Sequence, residues 1–352
     1  MNADARRARR TPVSLDDVAA VSGVSRAAAS RALNDREGVR PEVRERVRSV
    51  AAELGYRPNR AAQFLASGRS SVIGLVMPSD ELRIDPYGAS LIQAMAGAAD
   101  RHGQGLMLIL TPDAPSSAVR ATLRDGLIDG IVVSAIALGA DWVEHLLDTP
   151  VPAVLVGSHD TDTDVATIEV ESFDATVELV EHLLARGDRH IAHITGPLDR
   201  EDARQRLAGF CEAHRRHGIE LDEQLIARGA FTRASGRAAM RELLPVRPDA
   251  LVAANDEMAI GAMDVLAKAG LSIPGDIAVA GFDGAAAVEA LDPSLTTVRQ
   301  PFDELAETAV STLVSILAGV DVPTHRMIRP QLLIGASTGG ADCRADAVTP
   351  GG

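Results

Sequence analysis

The sequence has little of several residue types that define whole classes of protein. Only two cysteines, Cys211 and Cys343, occur in 352 residues, which argues against a disulfide framework and is typical of a reducing compartment. No stretch approaches the roughly 18 uninterrupted apolar residues of a membrane span, so we expect no membrane insertion. Aromatic residues make up only 3% of the chain, and Lys268 is the single lysine. At about 100 to 200 residues per domain, the length still predicts two or three domains.

Signatures of catalysis and of metal binding are missing as well. The sequence has no GxxxxGK[ST] loop and no HExxH motif. The cysteines lack metal-ligand spacing with histidine, and Gly281 to Gly284 is too short for a dinucleotide fingerprint. His190 and His193 share one predicted strand, where a structural role is commoner than ligation. We therefore expect no metal, no cofactor and no enzymatic activity.

Charge is distributed unevenly along the chain. The net charge of -14 taken alone argues against a nucleic-acid-binding protein. Residues 1–69, however, contain 14 arginines and 8 acids, a formal charge of +6, whereas the other 283 residues carry 21 basic and 41 acidic groups, or -20. This reversal predicts a small anion-binding module joined to a large acidic domain. Residues 1–12 are Arg-rich without an apolar segment behind them, so we expect a disordered basic tail rather than a secretory signal, with phosphate contacts as the alternative.

Helix signals in the first sixty residues predict a helix-turn-helix. Ser14 can cap a first helix, Gly23 permits a tight turn behind it, and Ser25 can cap a second helix that runs to about Leu33. A third helix opens at Arg40-Pro41, since proline is tolerated at the first helical position. Two short helices joined by a glycine-containing turn are typical of DNA-binding modules. The alternative, a packing module without a DNA role, is disfavoured by the positive charge.

Several runs of residues resemble the headpiece of the LacI/GalR family of bacterial transcription regulators. They are Val13 to Ala19, Gly23 to Ser25, Ser30 to Asn34 and Leu54 to Asn59. The sequence departs from the family pattern at Ala28-Ala29, where Thr-Val is usual, and at Arg40, where a Ser or Thr cap is usual. The resemblance implies a headpiece over residues 13–58 and a hinge helix or linker over residues 59–69. In that hinge, Leu65 matches the leucine that wedges into the central minor-groove step and kinks the duplex.

The second helix of a helix-turn-helix enters the major groove, and its first residues meet base edges. Arg26 is the candidate base reader because a guanidinium can donate two hydrogen bonds to guanine, while Ala27 and Ala28 offer apolar contact to a thymine methyl. A solvated helix face is the alternative for this surface. The predicted DNA-binding residues are Ser14, Ser25, Arg26, Ala27, Ala28, Ser30, Arg31, Asn34, Tyr56, Asn59, Arg60 and Leu65.

Beyond residue 70, short apolar runs alternate with helical patterns. The runs are continuous, which predicts strands buried on both faces of parallel sheets, and they begin at Val72, Leu106, Ile131, Ala153, His190, Ala250 and Ile277. We expect two α/β subdomains with a ligand cleft at their strand ends. The resemblance implies a two-lobed periplasmic-binding-protein-like effector domain over residues 70–338. Its N-lobe would span about 70–170 and 300–327 and its C-lobe about 171–299 and 328–338, before a disordered tail at 339–352.

Polar residues at predicted strand ends suggest a small-molecule site. Asn255-Asp256 and Asp283 each follow an apolar run, Arg206 could act as a fork donor, and Phe231 or Tyr87 could provide a platform for a sugar ring. These positions match the effector cleft of the family, so the predicted contacts are Tyr87, Ser134, Arg206, Phe231, Asn255, Asp256 and Asp283. The alternatives are N-capping by Asn255 or Asp256 and a surface salt bridge for Arg206.

Three departures from the family bear on the ligand. Gly157 stands where an Asp often reaches the ligand, Gly88 replaces a second aromatic, and Glu171-Ser172 replaces the usual Asp-Asn. They predict a roomier cleft or a different ligand.

Taken together, these features predict a cytoplasmic, nucleoid-associated homodimer, or a higher oligomer, that represses transcription at a pseudo-palindromic double-stranded operator under control of a sugar or sugar derivative. The alternatives are a solute-binding protein without a DNA role, a regulator that uses a non-sugar co-repressor, and an enzyme concealed in the α/β part.

Overall fold

The computed structural model describes residues 13–35, 37–57, 69–78, 86–111, 117–134, 143, 146–147, 149–157, 164–284, 288 and 290–339. The chain divides into two compact units, Met1–Ser70 and Ser71–Gly352. The predicted contacts Asn59, Arg60 and Leu65 and nearly all of the two predicted tails lie outside the described residues.

The described part of the first unit contains three helices, as the capping signals predicted. They are α1 (Leu15–Ser22), α2 (Arg26–Leu33) and α3 (Pro41–Leu54). Ser14 and Asp17 make a reciprocal capping box at α1, in which the Ser14 N–H donates to Asp17 Oδ2 at 2.8 Å and the Asp17 N–H donates to Ser14 Oγ at 3.2 Å. Gly23 then adopts a φ of 65°, which permits the turn into α2. These local interactions fix where α1 begins and where the turn into α2 lies, without any contribution from tertiary contacts.

The third helix lacks one of its usual start signals. Arg40 is its N-cap residue but makes no side-chain capping hydrogen bond, so the departure from a Ser or Thr cap removes that interaction. Pro41 at the first helical position and the left-handed Gly55, with a φ of 66°, set its two ends. Small side chains close the headpiece core, in which the buried residues are Val18, Ala19, Ala29, Ala32, Val47 and Ala51.

The second unit contains two six-stranded sheets. The first sheet is parallel throughout and has the strand order β11-β5-β4-β3-β1-β2. Its strands are β1 (Val72–Pro78), β2 (Gly105–Thr111), β3 (Gly130–Ser134), β4 (Ala153–Val156), β5 (Ala166–Val170) and β11 (His325–Ile328). The helices of this lobe are α4 (Pro86–Arg101), α5 (Ser117–Arg124) and α10 (Phe302–Leu317). Buried side chains cover both faces of the sheet, as the continuous apolar runs predicted.

The second sheet has the order β12-β10-β9-β8-β6-β7 and is parallel except for its edge strand β12. Its strands are β6 (Ile191–Thr195), β7 (Ile226–Arg228), β8 (Ala250–Ala253), β9 (Ala278–Asp283), β10 (Thr296–Arg299) and β12 (Gln331–Leu333). The helices of this lobe are α6 (Ser172–Arg186), α7 (Glu201–Arg216), α8 (Arg233–Leu243) and α9 (Asp256–Lys268). Two apolar cores pack on its faces.

The chain passes between the two sheets three times, after β5, after β10 and after β11. Each lobe therefore has a set of parallel strands with carboxyl ends, and a ligand site is expected at such ends in α/β sheets. Among the helices that the structure describes, none has the length and apolar character needed to cross a bilayer.

Candidate functional site

The amino-terminal end of α2 presents the residues predicted to meet base edges. Arg26 and Ala27 are exposed, and Nη1 of Arg26 lies 3.5 Å from Oδ2 of Asp16 in the first turn of α1. Tyr56, which follows α3, is half-buried; burial raises the pKa of its hydroxyl, and the positive charge of Arg26 acts in the opposite direction. Arg26 of α2 thus lies close to Asp16 of α1 and acts on Tyr56 of the segment after α3.

Other predicted DNA contacts already make hydrogen bonds within the headpiece. Ser14 caps α1, and the Ser25 Oγ accepts from the Ala28 N–H at 3.2 Å, so both hydroxyls also fix helix starts. The amide of Asn34 donates to the Ser30 carbonyl at 2.9 Å. The roles of these residues at DNA stay predictions, and each structural bond would have to be kept or exchanged on binding.

An acidic residue that the sequence did not single out pairs with two arginines of α3. Asp35 lies between α2 and α3 with a φ of 55°, and its carboxylate accepts hydrogen bonds from Arg44 at 2.7 Å and from Arg48 at 2.5 Å and 2.6 Å. Part of the positive charge of this unit is therefore neutralised within the headpiece. The sequence shows all three charged residues. It does not show which of them pair, because Asp35 lies 9 residues before Arg44 and 13 before Arg48, across a turn.

Arg206 lies at the centre of a second site, in the C-lobe. It is only 3% exposed, which overturns the alternative of a surface salt bridge. Its Nη1 donates to the Ala254 carbonyl at 2.5 Å and lies 3.8 Å from Asp283 Oδ1, while Nη2 lies 3.5 Å from Asp202 Oδ2. The guanidinium carbon is 3.8 Å from the ring centroid of Phe282, a stacking arrangement. Within the described residues, its Nε is buried without a hydrogen-bond partner.

Asp283 ends β9 in an uncommon backbone conformation, with a φ of 114°. Gln300, at the point where the chain leaves the C-lobe after β10, secures it twice. Its Nε2 donates to Asp283 Oδ1 at 2.7 Å, and its N–H donates to the Asp283 carbonyl at 3.0 Å. Both side chains are buried, at 7% and 5% exposure. Sequence reasoning missed Gln300, because a polar residue before a proline has no distinctive pattern.

Asn255 and Asp256 make hydrogen bonds within the protein framework of the site. Asn255 is the N-cap of α9, which is the alternative role considered from the sequence. Asn255 Oδ1 accepts from the Met258 N–H at 2.9 Å and so caps α9, while its Nδ2 donates to the Phe231 carbonyl at 3.0 Å. Asp256 accepts from the Thr297 hydroxyl at 2.6 Å and from the Gly284 N–H at 2.8 Å. Any direct contact of either residue with an effector stays a prediction.

The N-lobe contributes Tyr87 and Ser134 to the opposite wall. Tyr87, at the start of α4, packs edge-on against Phe302 with a centroid distance of 5.3 Å. Burial raises the pKa of its hydroxyl, and the carboxylates of Asp202 and Asp283 act in the same direction, whereas the charge of Arg206 opposes them. Tyr87 of the N-lobe is thus close enough to be affected by the charged residues of the C-lobe. The Ser134 Oγ is buried without a hydrogen-bond partner in the part of the chain that the structure describes.

Two further hydroxyls lie at strand ends that the sequence did not mark. Thr111 ends β2 and Thr195 ends β6, and each Oγ1 is buried without a hydrogen-bond partner in the part of the chain that the structure describes. A buried hydroxyl normally finds a partner, so such groups at a cleft suit contact with a polar ligand. A threonine at the end of an apolar run gives no sequence signal of its own.

Comparison with known proteins matches both units. Residues 14–59 match the family described as bacterial regulatory proteins, lacI family, and residues 180–338 match the periplasmic binding protein-like domain. The regulator CelR of Thermobifida fusca is 31% identical over 335 residues, covering 91% of this chain and 98% of CelR. The repressor CytR of Escherichia coli strain K12 is also 31% identical, over 94% of this chain and 97% of its own. The chain belongs to the LacI family.

Solved structures of LacI-family proteins share the fold along most of the chain. The lac repressor dimer bound to operator and an anti-inducer superposes with a TM-score of 0.78 at 31% identity, over 93% of this chain and 99% of its own. The CelR–cellobiose complex gives a TM-score of 0.70 at 30% identity, over 92% and 99%. This LacI-family chain is thus a DNA-binding regulator of transcription, and the relatives named here are regulators too.

Proposed function

We propose that this LacI-family chain is a homodimeric repressor whose affinity for operator DNA is set by a sugar or sugar derivative bound between the lobes. One observation carries the effector part of the proposal. Arg206 on α7 and Asp283 at the end of β9 are buried in one lobe with Nη1 and Oδ1 3.8 Å apart, and their charges act on the hydroxyl of Tyr87 from the other lobe. A buried, charged and hydroxyl-bearing group shared by two lobes suits a small polar ligand.

The chemistry of the cleft fits a polyol. Arg206 supplies a planar fork of donors, Asp283 an acceptor, and the half-buried Phe231 an apolar face 5.7 Å from the guanidinium carbon. Two acids, Asp202 and Asp283, offset the charge of Arg206, which favours an uncharged ligand over an anionic one. The structure of the relative CelR holds cellobiose, which supports a sugar as the effector class.

DNA recognition would rest on the exposed start of α2. Arg26 reads a guanine in the major groove, and the +6 charge of residues 1–69 supplies phosphate contacts and strong salt dependence. The homodimer is supported by the edge of the first sheet, where Leu108 and Leu110 of β2 are 40% and 41% exposed. One structural relative, the lac repressor, is a dimer on its operator. Binding to chromosomal DNA places the protein in the cytoplasm.

The effector acts by binding two lobe arrangements unequally. By linkage, the ligand changes operator affinity only as far as its own affinity differs between the DNA-bound and free states. An inducer binds the free state more tightly, and a co-repressor binds the operator complex more tightly. The same cleft could bind an inducer or a co-repressor. Whether the effector lowers or raises operator affinity is decided by experiment.

A two-step experiment tests the proposal. A thermal-shift screen of neutral sugars, sugar phosphates and nucleosides identifies ligands, and each one is then added to complexes of the full chain with a duplex selected from a random library. We expect a neutral sugar to raise the melting temperature and to change operator affinity by fivefold or more, the usual scale of allosteric coupling. Operator binding that is flat between low and moderate salt would contradict the DNA part of the proposal. Ligand binding without any change at DNA would favour a solute-binding role instead.

A further inference from the structure

Phe231 has a backbone conformation that aromatic residues rarely adopt. Its φ is 57°, in the left-handed region that glycine, asparagine and aspartate adopt most readily. Such a residue persists only where its surroundings hold it, and it is found preferentially at ligand-binding sites.

Two side chains fasten the peptide units around Phe231. The Ser235 Oγ accepts from the N–H groups on both sides of it, from Ala230 at 3.0 Å and from Thr232 at 3.3 Å. Asn255, which is 2% exposed, donates from Nδ2 to the Phe231 carbonyl at 3.0 Å. The three consecutive residues 230–232 are thus each tied by a hydrogen bond to a side chain from α8 or its neighbour α9.

A glycine provides the surface on which the ring lies. A Cβ added at Gly196, just after β6, would be 2.3 Å from Cζ and 2.5 Å from Cε1 of Phe231, and 2.9 Å from the Cβ of Ala203. Gly196 is not in the left-handed region, so its backbone conformation does not require glycine. Close approach of the Phe231 ring is what a side chain at this position would prevent.

The ring held in this way borders the buried guanidinium of Arg206, whose central carbon is 5.7 Å from the ring centroid. We propose that Gly196, Ser235 and Asn255 are positioning residues, which fix the Phe231 ring as a wall of the effector site and so set effector affinity without needing to touch the ligand. This inference rests on the proposed function, because it takes Phe231 to be part of the effector site.

The first test is Gly196→Ala, with Gly97→Ala as the matched control. A Cβ at Gly97 in α4 meets only Arg101 Nη1 at 3.4 Å, so the control adds the same methyl group without a collision. Effector affinity is measured by calorimetry with the neutral sugar that gives the largest thermal shift on the wild-type chain. We expect Gly196→Ala to weaken it about two- to tenfold, the range given by loss of one aromatic contact, with operator affinity within a factor of two. A general structural defect would instead lower operator affinity and melting temperature together.

A second measurement needs no ligand. The six phenylalanines are labelled with 4-fluorophenylalanine, and the fluorine resonance of Phe231 is the one that disappears in Phe231→Leu. We expect Gly196→Ala to move this resonance and Gly97→Ala to leave it in place. Ser235→Ala should broaden or shift it, and Ser235→Thr, which keeps the hydroxyl, should restore it.

The outcomes separate the inference from the proposed function. An unmoved fluorine resonance in Gly196→Ala would overturn the positioning contact itself. A moved resonance with unchanged sugar affinity would show that the ring is no wall of the effector site and would overturn the proposal. If no sugar binds the wild-type chain, the sugar assignment fails, while the fluorine experiment still decides whether these residues place the ring.

Discussion

Removal of the Arg206 guanidinium is expected to cost more stability than removal of the Asp283 charge. At 3.8 Å, and with an effective dielectric of about 20, their mutual attraction is about 4 kcal/mol. Both side chains are at least nine-tenths buried, so solvent screens the pair little. Breaking a buried pair by deleting one partner typically costs about 3 to 5 kcal/mol, because the other charge is left without compensation.

The asymmetry follows from the partners that each residue keeps. In Arg206→Met, the Asp283 carboxylate loses its cation and keeps the neutral amide of Gln300, so we expect a loss of about 3 to 5 kcal/mol. In Asp283→Asn, Arg206 still has Asp202 and the Ala254 carbonyl, so a loss of about 1 to 2 kcal/mol is expected. The double variant should recover about 2 kcal/mol of the summed costs, because no unpaired buried charge then remains.

Urea unfolding of the full chain, followed by circular dichroism, measures these free energies, and operator binding with and without the sugar measures the response. Arg215→Met is the control, since Arg215 lies on the same helix α7 and its side chain is 74% exposed. Both cleft variants should bind operator and fail to respond to the sugar. Strictly additive costs, a greater loss for Asp283→Asn, or an Arg206→Met protein that still responds would each refute the reasoning.

The remaining predictions concern the headpiece and the core of the C-lobe. Arg40→Ser should stabilise the headpiece by about 1 kcal/mol by capping α3, seen as a higher melting temperature, and an unchanged melting temperature would count against the missing cap. Arg26→Ala should cost about 1 to 3 kcal/mol at one base pair of each half-site in a binding-site selection, whereas uniform weakening would make Arg26 a phosphate contact. Burial lowers the pKa of His193 to about 4 from its ordinary 6.5, so its protonation favours the unfolded chain. Up to about 3 kcal/mol of stability should disappear as pH falls from 6.5 through 4, and His193→Gln should flatten urea midpoints over that range; equal pH dependence in both proteins would contradict this.

The headpiece could be predicted almost to the residue because its signals are local. Ser14 and Ser25 cap within three residues of their own position, and Gly23 sets the turn through its own φ. Seven strands of the second unit were equally accessible, since each is a continuous apolar run. Hydropathy alone suffices where a segment meets only apolar neighbours.

Strands that the sequence did not reveal have their polar groups satisfied by distant partners. Thr296 and Thr297 of β10 are fully buried, yet their hydroxyls bond to Thr338 and to Asp256, 42 and 41 residues away. A run of such residues has no apolar pattern, because its burial depends on partners that only the fold supplies. Strand β11 has no apolar run for a different reason, because it is an edge strand whose first three residues are exposed and which pairs with β5.

The residues of the candidate site also fall into those that the local sequence marks and those whose role depends on a distant partner. Arg206 and Asp283 stood out because a charge beside an apolar run is conspicuous, but Gln300 did not, because its value lies in a bond to a residue 17 positions earlier. Asn255 shows the converse case. Its place after a strand predicted a contact with the effector, while the structure shows both of its amide atoms engaged in capping α9 and in holding Phe231. A strand-end motif therefore locates a site more reliably than it assigns the role of each member.

The scarcity of aromatic residues gives the location of the site independent support. The chain has nine aromatic side chains; Phe231 and Phe282 lie beside Arg206, Tyr87 is affected by its charge, and Phe302 packs against Tyr87. Two of these four aromatic residues come from each lobe, so the packing of a single hydrophobic core does not explain why they lie together. Their burial separates their roles: Phe282 is 1% exposed and supports the guanidinium from within, whereas Phe231 is half-buried and keeps a surface for contact. Loss of Phe282 should consequently lower stability and effector affinity together, while loss of Phe231 should lower chiefly the affinity.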